Sequence, residues 1–420
     1  MELSVIIPVL NESNNIGLLI KEIKNSINNL GIIYEIIVVD GGSKDGTVEV
    51  AQRMGVKAII QNNPGFGNAL LEGFRASQGE IILTLDADFS HSPDFIPHIL
   101  DKINEADVII ASRYVKNGSA KVSLFRYALS RLLNLFFKYG LSLPLNDITS
   151  GFRIYKRKIL NSLNIRAKDF NVLPEILIEA YAKGFTIKEI PFHYARRKSG
   201  TSHLRIIKFA IGYLKLFLSF WKRRNSITFS DYDERGYYSK IFLQRYWQRR
   251  RYNIIMGFLE KKGLVADLGC GSSKIIQDLP EAIAVDMSIE KMRYIRKSNK
   301  YLVNADVAAL PFKKGVFSCV ICSEVVEHIK QNSIFEEISR ILQEGGILIL
   351  GTPDYGRLRW RIIEFFYGLL QPGGYKDKHI TKYDNLTLNN ILTSQGFKIL
   401  IKRYICGSEL ILKARKTAVL

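Results

Sequence analysis

Apolar residues fall into two alternating patterns along most of this chain. Short runs of β-branched and aliphatic side chains occur at 3–7, 34–39, 56–61 and 80–85, and again at 263–268, 282–285 and 317–323. Runs of this length, bounded by Gly, Pro, Asn or Asp, predict buried strands. Between them lie helical stretches: one entered at Ser13 and running through Leu30, one after Gly67-Asn68-Ala69, and a basic, aromatic one over 237–262. Strands alternating with helices predict an α/β fold with mostly parallel sheets. The pattern occurs twice, and at 420 residues each half can bury its own core. The polar, aperiodic stretch 223–236 reads as a linker between two doubly wound domains, 1–222 and 237–420.

Acidic residues and glycines recur where the strands of the first half end. The run 80–85 delivers Asp86-Ala87-Asp88-Phe89-Ser90-His91, and Pro93 then starts a new helix. Ligands of open α/β sheets sit at strand carboxyl ends. Two carboxylates one residue apart suit Mg²⁺ or Mn²⁺ completed by substrate phosphates. A polar turn is the plain alternative for the tripeptide alone. The run 34–39 ends in Asp40-Gly41-Gly42-Ser43-Lys44-Asp45-Gly46-Thr47, in which the glycines permit a tight turn and close approach of a ligand.

Read in order, these pieces resemble family 2 glycosyltransferases of the nucleotide-diphospho-sugar (GT-A) fold, dolichol-phosphate mannose synthase type. The resemblance rests on Pro8-x-x-Asn11-Glu12, Val39-Asp40-x-Gly-Ser-x-Asp-Gly-Thr47, Gly65-x-Gly67-Asn-Ala69, Asp86-Ala-Asp88-Phe-Ser-His91-x-Pro93 and Ser112-Arg113-Tyr114. It continues through Asp147-x-Thr149-Ser-Gly-Phe-Arg153, Glu189-Ile-Pro191-Phe192 and Arg197-x-x-Gly200-x-Ser202. It implies transfer of a hexose from a nucleotide-sugar donor to a polyprenyl-phosphate lipid. Asp40, with Pro8 and Glu12, would hold the nucleoside, Asp86 and Asp88 the metal, and Arg197 the diphosphate. Arg113, Arg126, Ser130 and Arg153 match positions for the acceptor phosphate, with Asp147 and Arg113 counted as catalytic. An acceptor phosphate is already an anion, so positioning and charge neutralisation suffice. Gly41 stands where the family usually has a second Asp, and His203 where a Lys often follows the Ser.

Two further segments carry wide apolar arcs. In 123–139, Arg126, Ser130, Asn134 and Lys138 recur every four residues among Leu and Phe; in 206–222 the stripe is Lys208, Gly212, Lys215, Ser219 and Lys222. Such helices suit a bilayer surface, or failing that a core or a dimer. Neither reaches the roughly twenty apolar residues of a span. The formal charge of +20 agrees with phosphorylated substrates and peripheral contact with an anionic membrane at its cytoplasmic face. An RNA-binding methyltransferase would explain the charge but not the ordered motifs, so no nucleic acid is expected. The start Met-Glu-Leu-Ser-Val lacks the basic region of a signal peptide. Cys319 and Cys322 lie inside an apolar run without partners at metal spacing, and read as core thiols of a reducing cytoplasm.

In the second half, Asp267-Leu-Gly269-Cys-Gly271 follows a strand, and Asp286 ends the next strand nineteen residues after Asp267. An acid so placed binds ribose hydroxyls. Asp306-Val307, Glu324-Val-Val-Glu327-His328 and Arg340-Ile-Leu-x-x-Gly345-Gly346 follow. The order resembles class I S-adenosyl-L-methionine-dependent methyltransferases, with a Rossmann-like fold. The resemblance implies that Asp267, Gly269 and Gly271 face the methionine part, Asp286 the ribose, and Asp306 and Val307 the adenine. His328 is a base candidate or, equally, a capping or core histidine; His379 is a weaker candidate. The stretch 355–378, with Pro372-Gly373-Gly374, reads as a substrate cover. Two linked activities are therefore expected, the second methylating a related glycan or lipid.

Overall fold

The computed structural model describes residues 2–196, 206–260, 263–330, 333–370 and 379–417, the side chains of 206–208 and 367–370 excepted. The chain divides into two units, 1–181 with 185–221, and 182–184 with 222–420. Both are α/β, as the periodicity predicts.

The first unit contains β1 (Leu3–Val9), β2 (Tyr34–Asp40), β3 (Lys57–Ile60), β4 (Ile81–Thr84), β5 (Val108–Ser112), β6 (Ser119–Ala120), β7 (Arg153–Lys156), β8 (Ile187–Pro191) and β9 (His193–Tyr194). Its main sheet has the order β3-β2-β1-β4-β7-β5-β8, and β6 pairs with β9 separately. β1, β2, β3 and β4 are mutually parallel, whereas β7 runs antiparallel to both β4 and β5. Register puts Val9 beside Asp40 and Ile6 beside Thr84. The carboxyl ends of β2, β1 and β4 thus form one continuous edge. Helix Ser13–Asn28 seals one face by burying Ile16, Leu19, Ile20, Ile23 and Ile27, a stripe at helical spacing.

The second unit contains β10 (Val265–Leu268), β11 (Ile283–Asp286), β12 (Leu302–Asn304), β13 (Phe317–Ser323), β14 (Leu342–Pro353), β15 (Phe397–Ile405) and β16 (Glu409–Lys416). Its order is β12-β11-β10-β13-β14-β16-β15, parallel up to β14, with β16 antiparallel. Cys319 and Cys322 project to opposite faces of β13 and pack in different clusters, as a spacing of three in a strand requires. They are free, buried thiols, as expected of core residues. Burial pushes the Cys319 thiol up to about 12.

Two expectations need correction. The stretch 223–236 is not a linker: Tyr232–Tyr237 is helical, and Phe229, Ser230, Asp231 and Tyr232 are buried. Arg224 is buried with them, ion-paired to Asp231 and lying 4.3 Å over the Phe229 ring. The polar residues that looked solvated are paired with one another instead. The expected helix over 237–262 also breaks, and its main part is Phe242–Phe258. Ser239 Oγ accepts from Ile241 N at 3.1 Å, offering the backbone a local alternative to the helix.

Candidate active sites

On the carboxyl edge of the first sheet, two loops are stitched together. Asn11 N donates to Ser43 Oγ at 2.7 Å, Glu12 N to Thr47 Oγ1 at 2.9 Å, and Ser13 N to Asp45 Oδ2 at 3.0 Å. Burial tends to raise the Asp45 carboxyl, but hydrogen bonds from Thr47 and Ser13 win and hold it at about 2. Pro8 is half-buried at the end of β1, and Glu12 accepts from Asn15 Nδ2 at 2.6 Å. Asp40 differs from expectation. It is buried, and its carboxylate accepts from Gly42 N and Ser43 N, each at 2.8 Å, and from Ser43 Oγ. Its oxygens shape their own loop, a positioning role that the sequence pattern did not show.

Asp86 and Asp88 stand on one turn at the end of β4. The Asp86 side chain is 32% exposed, while Asp88 is buried and its Oδ1 accepts from Ser90 N at 3.0 Å. Phe89, directly after Asp88, takes a φ of +63°, a left-handed conformation that a bulky residue adopts only when its surroundings enforce it. His91 closes the same turn. Buried against Phe152, Phe192 and Tyr194, its Nδ1 accepts from Asp86 N at 2.9 Å. Burial lowers the His91 pKa, keeping the ring neutral with its proton on Nε2. A Cβ on Gly151 would come within 3.2 Å of Asp86 Oδ1, so that position keeps the carboxylate clear. One exposed and one anchored carboxylate on a fixed turn fit a hard divalent cation completed by phosphate oxygens.

Arg113 and Asp147 form one buried unit. Arg113 Nε donates to Asp147 Oδ2 at 2.8 Å, Nη2 to Oδ1 at 2.7 Å, and the Arg113 backbone N to Oδ2 at 2.9 Å. Burial alone would raise the Asp147 carboxyl; the guanidinium against it reverses this and holds it below the usual range. Asp147, fully buried and bidentate, orients Arg113. Asp147→Asn should cost about 3–5 kcal/mol, because it leaves a buried guanidinium without its counter-charge. Urea unfolding checks this. The paired carboxylate stabilises above the unfolded carboxyl's pKa, and that contribution is lost as pH falls below it, so the variant should lose part of the wild type's acid sensitivity.

Arg153 is placed away from the surface. It lies in β7 with no exposed surface and donates to the carbonyls of Leu173 and Ile148, each at 2.6 Å. It ties two loops together. Arg126 is exposed, and Ser130 is half-buried. Arg131, which the four-residue stripe passed over, is better placed. Its guanidinium lies 5.0 Å over the Tyr114 ring, as Arg113 does at 5.1 Å, and its buried Nη1 has no hydrogen-bond partner among the described residues. Arg197, with Gly200, Ser202 and His203, falls outside the described residues. Gly65 and Gly67 serve close packing: a Cβ on either would lie within 3 Å of the backbone at 167–169.

In the second unit one cleft is lined by Asp233, Asp267, Gly269, Asp286, Asp306, Val307 and His328. Gly269 and Gly271 have φ of +65° and +55°, and their turn is fixed by Gly271 N donating to Asp286 Oδ2 at 2.8 Å. Asp233, inside the stretch read as linker, reaches this turn. Its Oδ2 accepts from Ser272 N at 2.9 Å and Lys291 Nζ at 2.9 Å, and a Cβ on Gly271 would lie 2.3 Å from it. Burial, then the charges of Asp286 and Asp233, raise the Asp267 carboxyl well above its ordinary value. Three carboxylates around a glycine turn suit a ligand that brings positive charge and hydroxyls.

Residues 4–163 match the family model Glycosyl transferase family 2, and 266–350 match the model Methyltransferase domain. The chain joins a family 2 glycosyltransferase domain to a methyltransferase domain. Its glycosyltransferase part is 33% identical over 217 residues to the dolichol-phosphate mannosyltransferase of Pyrococcus furiosus, covering 49% of this chain and 60% of that protein. It is 31% identical over 209 residues to the undecaprenyl-phosphate 4-deoxy-4-formamido-L-arabinose transferase of Salmonella paratyphi B, covering 48% and 62%. The two-domain chain thus spans about three fifths of the length of these relatives. A solved structure, glucosyl-3-phosphoglycerate synthase of Mycobacterium tuberculosis with Mn²⁺ and UDP, is similar at 21% identity and a TM-score of 0.41, over 53% of this chain and 79% of that one.

Proposed function

We propose that the glycosyltransferase domain moves a hexose from a nucleotide-diphosphate sugar to a polyprenyl phosphate, and that the methyltransferase domain uses S-adenosyl-L-methionine to methylate a related glycan or lipid. The observation that carries the first half is the Asp86-Ala87-Asp88 turn on the carboxyl edge of β4, in one domain with the Arg113–Tyr114–Arg131 cluster. The names of the two relatives support a polyprenyl-phosphate acceptor. Asp86 and Asp88 would hold Mg²⁺ or Mn²⁺, which supplies Lewis-acid neutralisation of the departing nucleotide diphosphate. An oxygen of the acceptor phosphate attacks the sugar carbon as the bond to the diphosphate breaks, and no protein base takes a proton. Arg113, held by Asp147, and Arg131 supply positive charge for the acceptor.

Exposed apolar side chains support contact with a bilayer. Helix Leu124–Gly140 exposes Leu124, Phe125, Leu129, Leu132 and Phe136, and helix Ile206–Arg224 exposes Ile211, Leu214, Leu218 and Trp221. The two helices touch through Phe136, Phe137, Tyr213 and Phe217. Among the described residues no helix is long and apolar enough to cross a membrane. We infer peripheral binding at the cytoplasmic face, through the apolar faces and the basic surplus. The protein should float with anionic vesicles in a density gradient, and Phe125→Ser with Leu132→Ser should cut the floating fraction several-fold without lowering the thermal midpoint. Unchanged flotation would refute this surface as the contact.

The decisive assay supplies protein, Mn²⁺, polyprenyl phosphate and labelled nucleotide sugars one at a time. Label in the organic phase from one donor is the expected result. Label that appears only on a sugar hydroxyl would replace the phosphate-acceptor reading.

A further inference from the structure

The loop after β13 brings Glu327 together with the two histidines that the sequence offers as base candidates. Glu327, His328 and His379 each offer a ligand atom, and these atoms lie within 4.8 Å of one another. Glu327 is completely buried. Its Oε2 accepts from Thr352 Oγ1 at 3.0 Å, while Oε1, equally buried, has no hydrogen-bond partner among the described residues. A buried carboxylate oxygen without a donor is costly unless something unseen satisfies it.

The histidines are presented for the same task. His379 is pinned next to Glu327 in space, since Ile380 N and Thr381 N both donate to Glu327 O, at 2.8 and 3.0 Å. Tyr355 Oη lies 2.6 Å from His379 Nδ1 and 2.7 Å from Glu364 Oε1. The tyrosine has one proton and donates it to Glu364 Oε1, so its oxygen accepts from Nδ1–H of the His379 ring. That relay leaves the His379 lone pair on Nε2, the arrangement in which a metal-bound imidazole is oriented by an outer carboxylate. His328 faces His379, ring centroids 5.0 Å apart, and also lines the cleft of Asp267 and Asp286. Glu324, one turn earlier, has a φ of +58°, a strained backbone of the kind that persists at working sites.

We propose that Glu327, His328 and His379 bind a divalent transition-metal cation, whose open positions take a hydroxyl oxygen of the methyl acceptor. Two imidazoles and one carboxylate suit Zn²⁺, Mn²⁺, Co²⁺ or Fe²⁺ better than Ca²⁺. Three protein ligands leave room for substrate. A coordinated hydroxyl loses its proton to water more readily. Its oxygen then forms the bond to the methyl carbon while the carbon–sulfur bond breaks, and the electron pair stays on sulfur as the sulfonium becomes a neutral thioether. The acceptor is thereby assigned to alcohols or phenols and the product to methyl ethers. The acceptor assignment rests on the methyltransferase reading; the metal site does not.

The test uses the full chain carrying Asp86→Asn and Asp88→Asn, which silence the other candidate metal site, stripped with chelator and titrated with Co²⁺. One Co²⁺ per chain with a visible d–d absorption band is expected. Glu327→Gln and His379→Ala should each weaken binding on the order of 100-fold. Variants whose metal-free thermal midpoint matches the parent's count as folded, and Co²⁺ should raise the midpoint of the parent only. Absence of the band, or a band that survives both substitutions, overturns the site. S-adenosyl-L-methionine binding is measured separately by calorimetry. If the band stands and that binding is absent, the methyltransferase reading fails and the metal site remains.

Discussion

Asp88→Asn should lower sugar transfer to polyprenyl phosphate by about a hundred- to a thousandfold, the usual effect of removing one electrostatic stabiliser of a developing anion. The substitution is informative because of what it spares. The Asp88 oxygen that accepts from Ser90 N is retained by asparagine, so the turn keeps its hydrogen bond and loses only a charge. Asp86→Asn should behave similarly, since its backbone N–H, not its carboxylate, donates to His91. Organic-phase label measured against Mn²⁺ concentration separates two causes. If the variants only bind metal more weakly, high Mn²⁺ restores most of the rate. If the variants match wild type at every Mn²⁺ concentration, low ones included, the pair is not the metal site.

The second large effect is a pH dependence in the other domain. Affinity for S-adenosyl-L-methionine should rise with pH, roughly tenfold per unit, until Asp267 is fully ionised, and level off above. The sign follows from the environment of Asp267. Its pKa is raised by burial and by the neighbouring charges of Asp286 and Asp233, so at low pH it is protonated and offers a cationic ligand nothing. Binding a cation favours the ionised form, so complex formation should release protons, visible as a buffer-dependent heat in calorimetry. Without ligand the same raised pKa works against folding: stability falls as pH climbs from the ordinary carboxylate value toward the raised one, and ligand restores it. Asp267→Asn should flatten the profile and weaken binding about ten- to a hundredfold. A profile unchanged in the variant would assign the titration to another group.

Much of this architecture was legible because strand runs and helical stripes differ in period, and because acids and glycines clustered where those runs end. Asp86, Asp88, Asp267 and Asp286 were picked out in this way, and the structure places each at or just past the carboxyl end of a strand. What the pattern could not carry was pairing in space. Asp40, Asp147 and Arg153 match functional positions by type, yet each carries hydrogen bonds to its own loop, to Arg113, or to distant carbonyls. Arg131 was passed over because a four-residue stripe favoured its neighbour Ser130. Asp233 was hidden in a stretch too polar to look structured, although it meets the glycine turn thirty-nine residues later. The Glu327, His328 and His379 group needed the return of the chain after β14, which no local spacing reveals.

The exposed faces of helices Leu124–Gly140 and Ile206–Arg224 also bear on the proposed encounter with a lipid acceptor at a bilayer. A catalyst seated on a bilayer searches a plane, so the quantity that sets its rate is the surface mole fraction of the lipid and not its bulk concentration. In mixed micelles, added inert detergent would then slow turnover by dilution within the surface, even with the amounts of enzyme and acceptor unchanged. Freshly glycosylated lipid would stay within lateral reach of the domain that made it, and of whatever acts on that product next, without ever crossing water.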